Sequence, residues 1–180
     1  MSHSDATAIP QGVGLDEAKL AWAGTLEGRT DEEKDRFALA TAVIVRGIAA
    51  YGAVSPQSLA AQLGLDTVRT REILAGLATL GMEIDADGNV GGAALTSTPT
   101  PHSVHLGERA LFAWCALDTL FIPGLAGERA DIESTCPVSG DAIRLRVSPD
   151  GACDYTPSEA VLSVLLPGAS SLQVGMASPT

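Results

Sequence analysis

Residues 53–81, AVSPQSLAAQLGLDTVRTREILAGLATLG, read as two short helices with marked ends. Ser55 is an N-cap and Pro56 a first helical residue, and Gly64 closes that helix. Asp66 caps the next, whose Val68, Ile73, Leu74, Leu77 and Leu80 are expected to form one apolar stripe. Immediately after it, MEIDADGNVGGAAL carries a hairpin signal, with the turn at Asp87-Gly88 or Gly88-Asn89. Upstream, Thr30 followed by Asp31, Glu32 and Glu33 is a capping box with acids at the positive end of a helix dipole. The helix it starts has Phe37, Ala40, Val43, Ile44 and Ile48 at helical spacing and ends near Gly52. Three helices and a hairpin are the layout of a winged helix-turn-helix.

Charge argues against the usual employment of that layout. The 180 residues carry 22 acidic and 11 basic side chains, a formal net charge of −11. Such a surface repels phosphate backbones and anionic headgroups. The second of the two short helices offers only Arg69 and Arg71 to a DNA groove, and Glu72 opposes them. No nucleic acid partner is expected, and no membrane partner either. The opening MSHSDATAIPQGVGLDEAK has no basic segment followed by an apolar run, and the longest apolar runs fall short of the ~18–20 residues a span needs. A cytoplasmic protein with free thiols is the expectation.

Three regions follow: a flexible arm over 1–30 with one short helix near Leu15–Leu26, a winged-helix-like helical domain over 31–96, and a third unit over 97–180. The last opens on STPTPHSVH, read as a linker in which His102 and His105 are an isolated histidine pair. ADIESTCPVSGDAIRLRVSPDG alternates as two strands joined by a Cys-Pro-Val-Ser-Gly-Asp turn, and AVLSVLLP reads as a fully apolar strand. The fold class is α+β, a helical lobe packed on a small mixed β-sheet lobe.

The chemistry centres on residues 109–125, RALFAWCALDTLFIPGL. In a helix, Cys115 and Asp118 share a face and can act on one ligand. The apolar residues around them would raise both pKa values unless a cation or metal compensates. A carboxyl so raised is a proton donor near neutral pH, and a thiolate is a soft ligand. The alternative is a buried structural cysteine beside an aspartate that caps the next turn. No Gly-rich phosphate loop, Ser-His-Asp spacing or CxxC pair competes as a site.

Residues 111–151, LFAWCALDTLFIPGLAGERADIESTCPVSGDAIRLRVSPDG, resemble the central part of the organomercurial (alkylmercury) lyases, most specifically from Trp114 to Leu120. The similarity runs from about Asp35 to Pro167 and includes the Asp85-Ala86-Asp87-Gly88-Asn89 hairpin. It implies a lobe of the alkylmercury lyase type over 97–180, in which two cysteines and an aspartate hold the mercury of R–Hg⁺ and the carbon–mercury bond is broken by protonation at carbon. Cys115 then corresponds to the first mercury-binding thiolate and Asp118 to the aspartate that donates the proton. Trp114 and Phe112 are the expected pocket walls, and Cys136 matches a cysteine with a supporting, structural place in the family. No cofactor is required; mercury is substrate and product. The family's second catalytic cysteine follows about a dozen residues after its counterpart of SVLLP, where this sequence has GASSLQVGMASPT. Cys153 as a relocated metal ligand, or a small cellular thiol, would complete the coordination. The chain is then a shortened form of a longer protein or a divergent relative, and a second copy would cover the apolar face left open. Two further readings stand beside the lyase: a soft-metal (Hg, Cu) or hydrophobic-ligand binding protein, and a Cys/Asp enzyme acting on an organic substrate.

Overall fold

A computed structural model describes residues 28 and 30–162, apart from the side chains of 152 and 153. The short helix expected near 15–26 and most of the AVLSVLLP strand lie outside the described residues.

Helix α1 (Asp31–Tyr51) begins as its capping box requires: the Thr30 hydroxyl accepts the Glu33 N–H at 3.3 Å, and the Glu33 carboxylate accepts the Thr30 N–H at 2.9 Å. Gly52, at φ 85°, ends it in the left-handed conformation that a β-carbon disfavours. Eleven of its 21 residues are buried, so α1 is the central helix of the core. Its surface turns the other way in ion pairs such as Arg36 with Glu32. At Gly47 a β-carbon would stand 2.1 Å from Val54 Cγ2, so glycine is what lets α1 approach the chain that follows it.

Helices α2 (Pro56–Leu63) and α3 (Thr67–Ala78) have the expected caps, with Ser55 Oγ accepting from Ser58 N at 3.1 Å and Asp66 Oδ1 from Arg69 N at 2.8 Å. The apolar stripe of α3 is narrower than expected. Ile73, Leu74 and Leu77 are buried, but Val68 is 67% exposed. Five residues separate Val68 from Ile73, about 140° around the helix, so it faces solvent.

The strands β1 (Glu83–Ile84) and β2 (Val90–Ala93) form the expected hairpin, closed by Asp85. Its carboxylate accepts the backbone N–H groups of Asp87 and Asn89 and the Asn89 side-chain amide, each at 2.9 Å. Val54 and Val90 exchange two backbone hydrogen bonds and tie the hairpin to the helices.

From there the chain builds β3 (Leu95–Thr96), β4 (His102–Leu106), β5 (Arg109–Ala113), β6 (Ala130–Thr135), β7 (Ala142–Ser148) and β8 (Gly151–Thr156). One eight-stranded sheet results, in the order β1-β2-β3-β5-β4-β6-β7-β8. The α+β class is as expected, but every pairing is antiparallel rather than mixed. The segment read as a linker is also different: His102–Leu106 is a strand paired on both sides, with Val104 opposite Leu111 and Ile132. Proline and threonine dominate only its lead-in, while Val104 and Leu106 are buried. Among the described residues no helix is long and apolar enough to cross a membrane.

Helix α4 (Asp118–Ala126) lies against α1. Its Ile122 is fully buried, and Arg46 Nε of α1 donates to the Leu125 carbonyl at 2.7 Å near its end. Ile122→Ala is expected to cost about 2–5 kcal/mol through lost burial and the cavity left behind. That is a large share of the roughly 5–15 kcal/mol of a typical domain. A clear drop in urea midpoint at unchanged slope would show it; an unchanged midpoint would mean that α4 is not anchored by this contact.

Candidate active site

Residues 109–125 do not form one helix. RALFA is strand β5, residues 114–117 make a bend, and the helix starts only at Asp118. The strand pairs with both β3 and β4, which overrides the helical spacing of the sequence. The Thr100 hydroxyl donates to the Ala113 carbonyl at 2.6 Å, and the Thr119 hydroxyl to the Ala116 carbonyl at 2.7 Å, which fixes the bend at both ends. Cys115 and Asp118 therefore meet at a helix entrance rather than along a helix face. The Cys115 N–H donates to Asp118 Oδ2 at 2.9 Å, and the thiol hydrogen-bonds to the same carboxyl.

Asp118 thus closes the turn, as the structural alternative expected, while also touching the sulfur, but the buried cysteine of that alternative is not found. Cys115 itself is an exposed residue and Asp118 is half-buried. Partial burial of the sulfur, reinforced by the negative charge of Asp118, pushes the Cys115 thiol up to about 11. Burial likewise raises Asp118, against the lowering effect of its hydrogen bonds from the Cys115 side chain and N–H. At neutral pH the thiol is therefore protonated, and burial shifts the adjoining carboxyl in the same direction.

Trp114 is clamped from the helical half of the chain, a link the sequence did not reveal. Its indole Nε1 donates to Glu83 Oε1 at 3.1 Å, while Glu83 Oε2 accepts from the Thr96 hydroxyl at 2.9 Å. Gly92 makes room: a β-carbon there would stand 2.4 Å from the Glu83 carboxyl. The Trp114 N–H donates to the Ala94 carbonyl at 3.0 Å, and Ala94 sits at φ 59°, rare for a residue with a side chain. A glutamate in a two-residue strand and a single small residue opposite it carry no motif.

Phe112 is half-buried on β5, opposite Thr96 and Ser103. The cleft that opens beside the bend is lined by other residues than these two aromatics, among them Ala116, Thr119, Leu120, Ile143 and Leu145.

Cys136 stands in the β6–β7 turn, its N–H bonded to the Asp141 carbonyl at 2.8 Å. The Ser139 hydroxyl and N–H, with the Val138 N–H, pull its thiol below the usual value. Cys153 lies on β8. His102 and His105, three apart on one strand, point to opposite faces. Among the described residues no three His, Cys, Asp or Glu side chains converge as a metal site.

Thiol reactivity follows from these shifts, since the thiolate is the nucleophile. At pH 7.5 iodoacetamide is expected to modify Cys136 well before Cys115. The Cys115 rate should climb about tenfold per pH unit and level off only near 11. Peptide mass spectrometry of timed samples reads both; a faster Cys115 at neutral pH would contradict the desolvated setting.

Against this geometry, residues 95–176 match the family model for alkylmercury lyase (MerB). The chain is 38% identical over 124 residues to the alkylmercury lyase of Bacillus cereus, covering 69% of this chain and 56% of that protein. With the Pseudomonas putida enzyme it shares 35% over 136 residues, 76% of this chain and 63% of the relative. Over these stretches the chain is similar to alkylmercury lyases. Among solved structures, the mercury-bound form of MerB2 superposes with a TM-score of 0.58 at 29% identity, over 79% of this chain and 68% of that one. The chain spans little more than half the length of the Bacillus cereus lyase. The family-model match begins at β3 and takes in the bend, α4 and the strands that face it.

Proposed function

We propose that this chain, similar to alkylmercury lyases, cleaves a carbon–mercury bond by protonolysis, with Cys115 as the mercury-binding thiolate and Asp118 as the proton donor. The observation that carries the reading is the hydrogen-bonded Cys115–Asp118 pair, both members held toward their protonated forms by partial burial. Capture of R–Hg⁺ exchanges the thiol proton for mercury, a step that soft sulfur favours strongly over oxygen or nitrogen ligands. The Cys115 proton leaves to solvent or to Asp118. The Asp118 acid proton then passes to the carbon as the C–Hg electron pair forms the new C–H bond. Products are R–H, mercury(II) on sulfur, and a carboxylate at Asp118 placed to meet the metal's charge.

Mercury enters as substrate and leaves as product. A small cellular thiol is the candidate for the further sulfur ligand, since the described side chains supply only this one thiol and one carboxyl at the bend. The test is incubation of the 180-residue chain with phenylmercury in excess thiol, with benzene followed by headspace gas chromatography. Benzene release above the thiol-only rate supports the reading. Stoichiometric mercury capture without benzene would overturn it in favour of a soft-metal binding protein.

A further inference from the structure

Beside the bend, a cleft of about 220 Å³ opens between the first turn of α4 and the face of strands β6–β8. Its wall is apolar, with Ala116, Leu120, Ile143 and Leu145, and Ala116 is the neighbour of Cys115 in the chain. A cavity of about 150 Å³ in another protein accommodates benzene, so this space suits a ring with a substituent and is generous for a methyl group.

Three hydroxyls line the cleft; that of Tyr155 belongs to a β8 side chain 53% exposed to solvent, which leaves two on buried residues. That of Thr119 is already spent on the Ala116 carbonyl at 2.7 Å. The other, Ser134 Oγ, belongs to a buried residue of β6 and meets His102 Nδ1 at 3.0 Å across the β4–β6 pairing. Partial burial lowers the His102 pKa, so the ring is neutral at pH 7 and presents Nδ1 as either acceptor or donor. When Nδ1 accepts the Ser134 proton, the serine oxygen turns lone pairs to the cleft; when Nδ1 donates, the hydroxyl proton is free to do so. A charged group would be left poorly compensated at such a spot, whereas a neutral hydroxyl matches it in both directions.

We infer that this cleft holds the organic group of the substrate, and that the Ser134–His102 pair selects a compact arene bearing a hydroxyl. The link to mercury rests on the lyase reading; the arene site itself does not. Ser134 and His102 are specificity residues here, distant in role from the proton transfer.

The experiment is ligand-observed NMR on the full chain with phenol and with toluene, which have the same ring and nearly the same size. Wild type is expected to bind phenol about tenfold more tightly than toluene, corresponding to ~1.4 kcal/mol. In Ser134→Ala the phenol affinity should fall to that of toluene, with toluene unchanged. His102→Gln serves as the second variant if Ser134→Ala fails to fold, with the same loss of preference expected. Equal binding of the two arenes by wild type, no binding of either, or equal weakening of both in the variants would overturn the inference. Wild type that keeps the phenol preference but releases no benzene from phenylmercury would sink the lyase reading alone.

Discussion

Cys115→Ser is expected to reduce organomercurial cleavage to the rate of free thiol in solution, a loss of at least about a thousandfold. Removal of a single transition-state hydrogen-bond donor costs about 10²–10³ in other enzymes, and here the ligand to the reacting metal itself is removed. A serine hydroxyl is a hard, weakly acidic oxygen with little affinity for mercury. The fold should survive, because Cys115 is exposed and it is its backbone N–H, not its sulfur, that the Asp118 carboxylate needs to close the turn. Circular dichroism identical to wild type, with benzene release lost, is the expected pair of readings. If the serine variant retains wild-type turnover, mercury is held elsewhere and the assignment of Cys115 fails.

The second large effect is Asp118→Asn, which separates capture from cleavage. The amide oxygen can still accept the Cys115 N–H, so the bend persists, but no acidic proton is left to deliver to carbon. Turnover should fall by about 10²–10⁴, the span of a lost general acid. Mercury capture should persist or improve. The negative charge of Asp118 is one of the causes holding the Cys115 thiol up near 11, and removing it lets the sulfur ionise at lower pH. In the wild type the sign for stability is the same: with the folded thiol raised from 9.0 to about 11, the stabilisation from its bound proton is intact below about 9 and lost as pH rises toward 11. Single-turnover benzene release together with mercury titration distinguishes the two steps; a variant that cleaves as fast as wild type would move the proton donor to another group.

Much of the helical half was legible in the sequence because its signals are local. Thr30, Ser55, Asp66 and the two glycines at 52 and 64 act through hydrogen bonds and dihedrals within a few residues of themselves. The Cys115–Asp118 pairing was legible for a similar reason, since a separation of three brings two residues together at a helix entrance as well as within a helix. The helix expected to carry both Cys115 and Asp118 starts only at the aspartate, and the segment 109–125 opens as a strand instead. Its first five residues are committed to strand by partners 18 residues upstream at Leu95 and across the β4 hairpin, which no spacing within the segment records. Glu83 was invisible for the same cause: its bond to Trp114 joins residues 31 apart, and its space depends on the missing side chain of Gly92. His102 looked like a linker residue because its partner, Ser134, lies 32 positions away.

The strand order has a kinetic meaning. Apart from the exchange of β4 and β5, neighbours in the sheet are neighbours in the chain, and each strand after the first except β4, whose partners β5 and β6 both follow it, has a partner already synthesised when it emerges. The longest register between paired strands, His102 with Ser134, closes a loop that α4 already shortens by coiling nine residues. Pairing between strands adjacent in the chain keeps most loop closures short, and short closures favour fast folding. The Cys115–Asp118 bend would then be assembled stepwise on a growing β surface, its tryptophan finding a glutamate that had left the ribosome first.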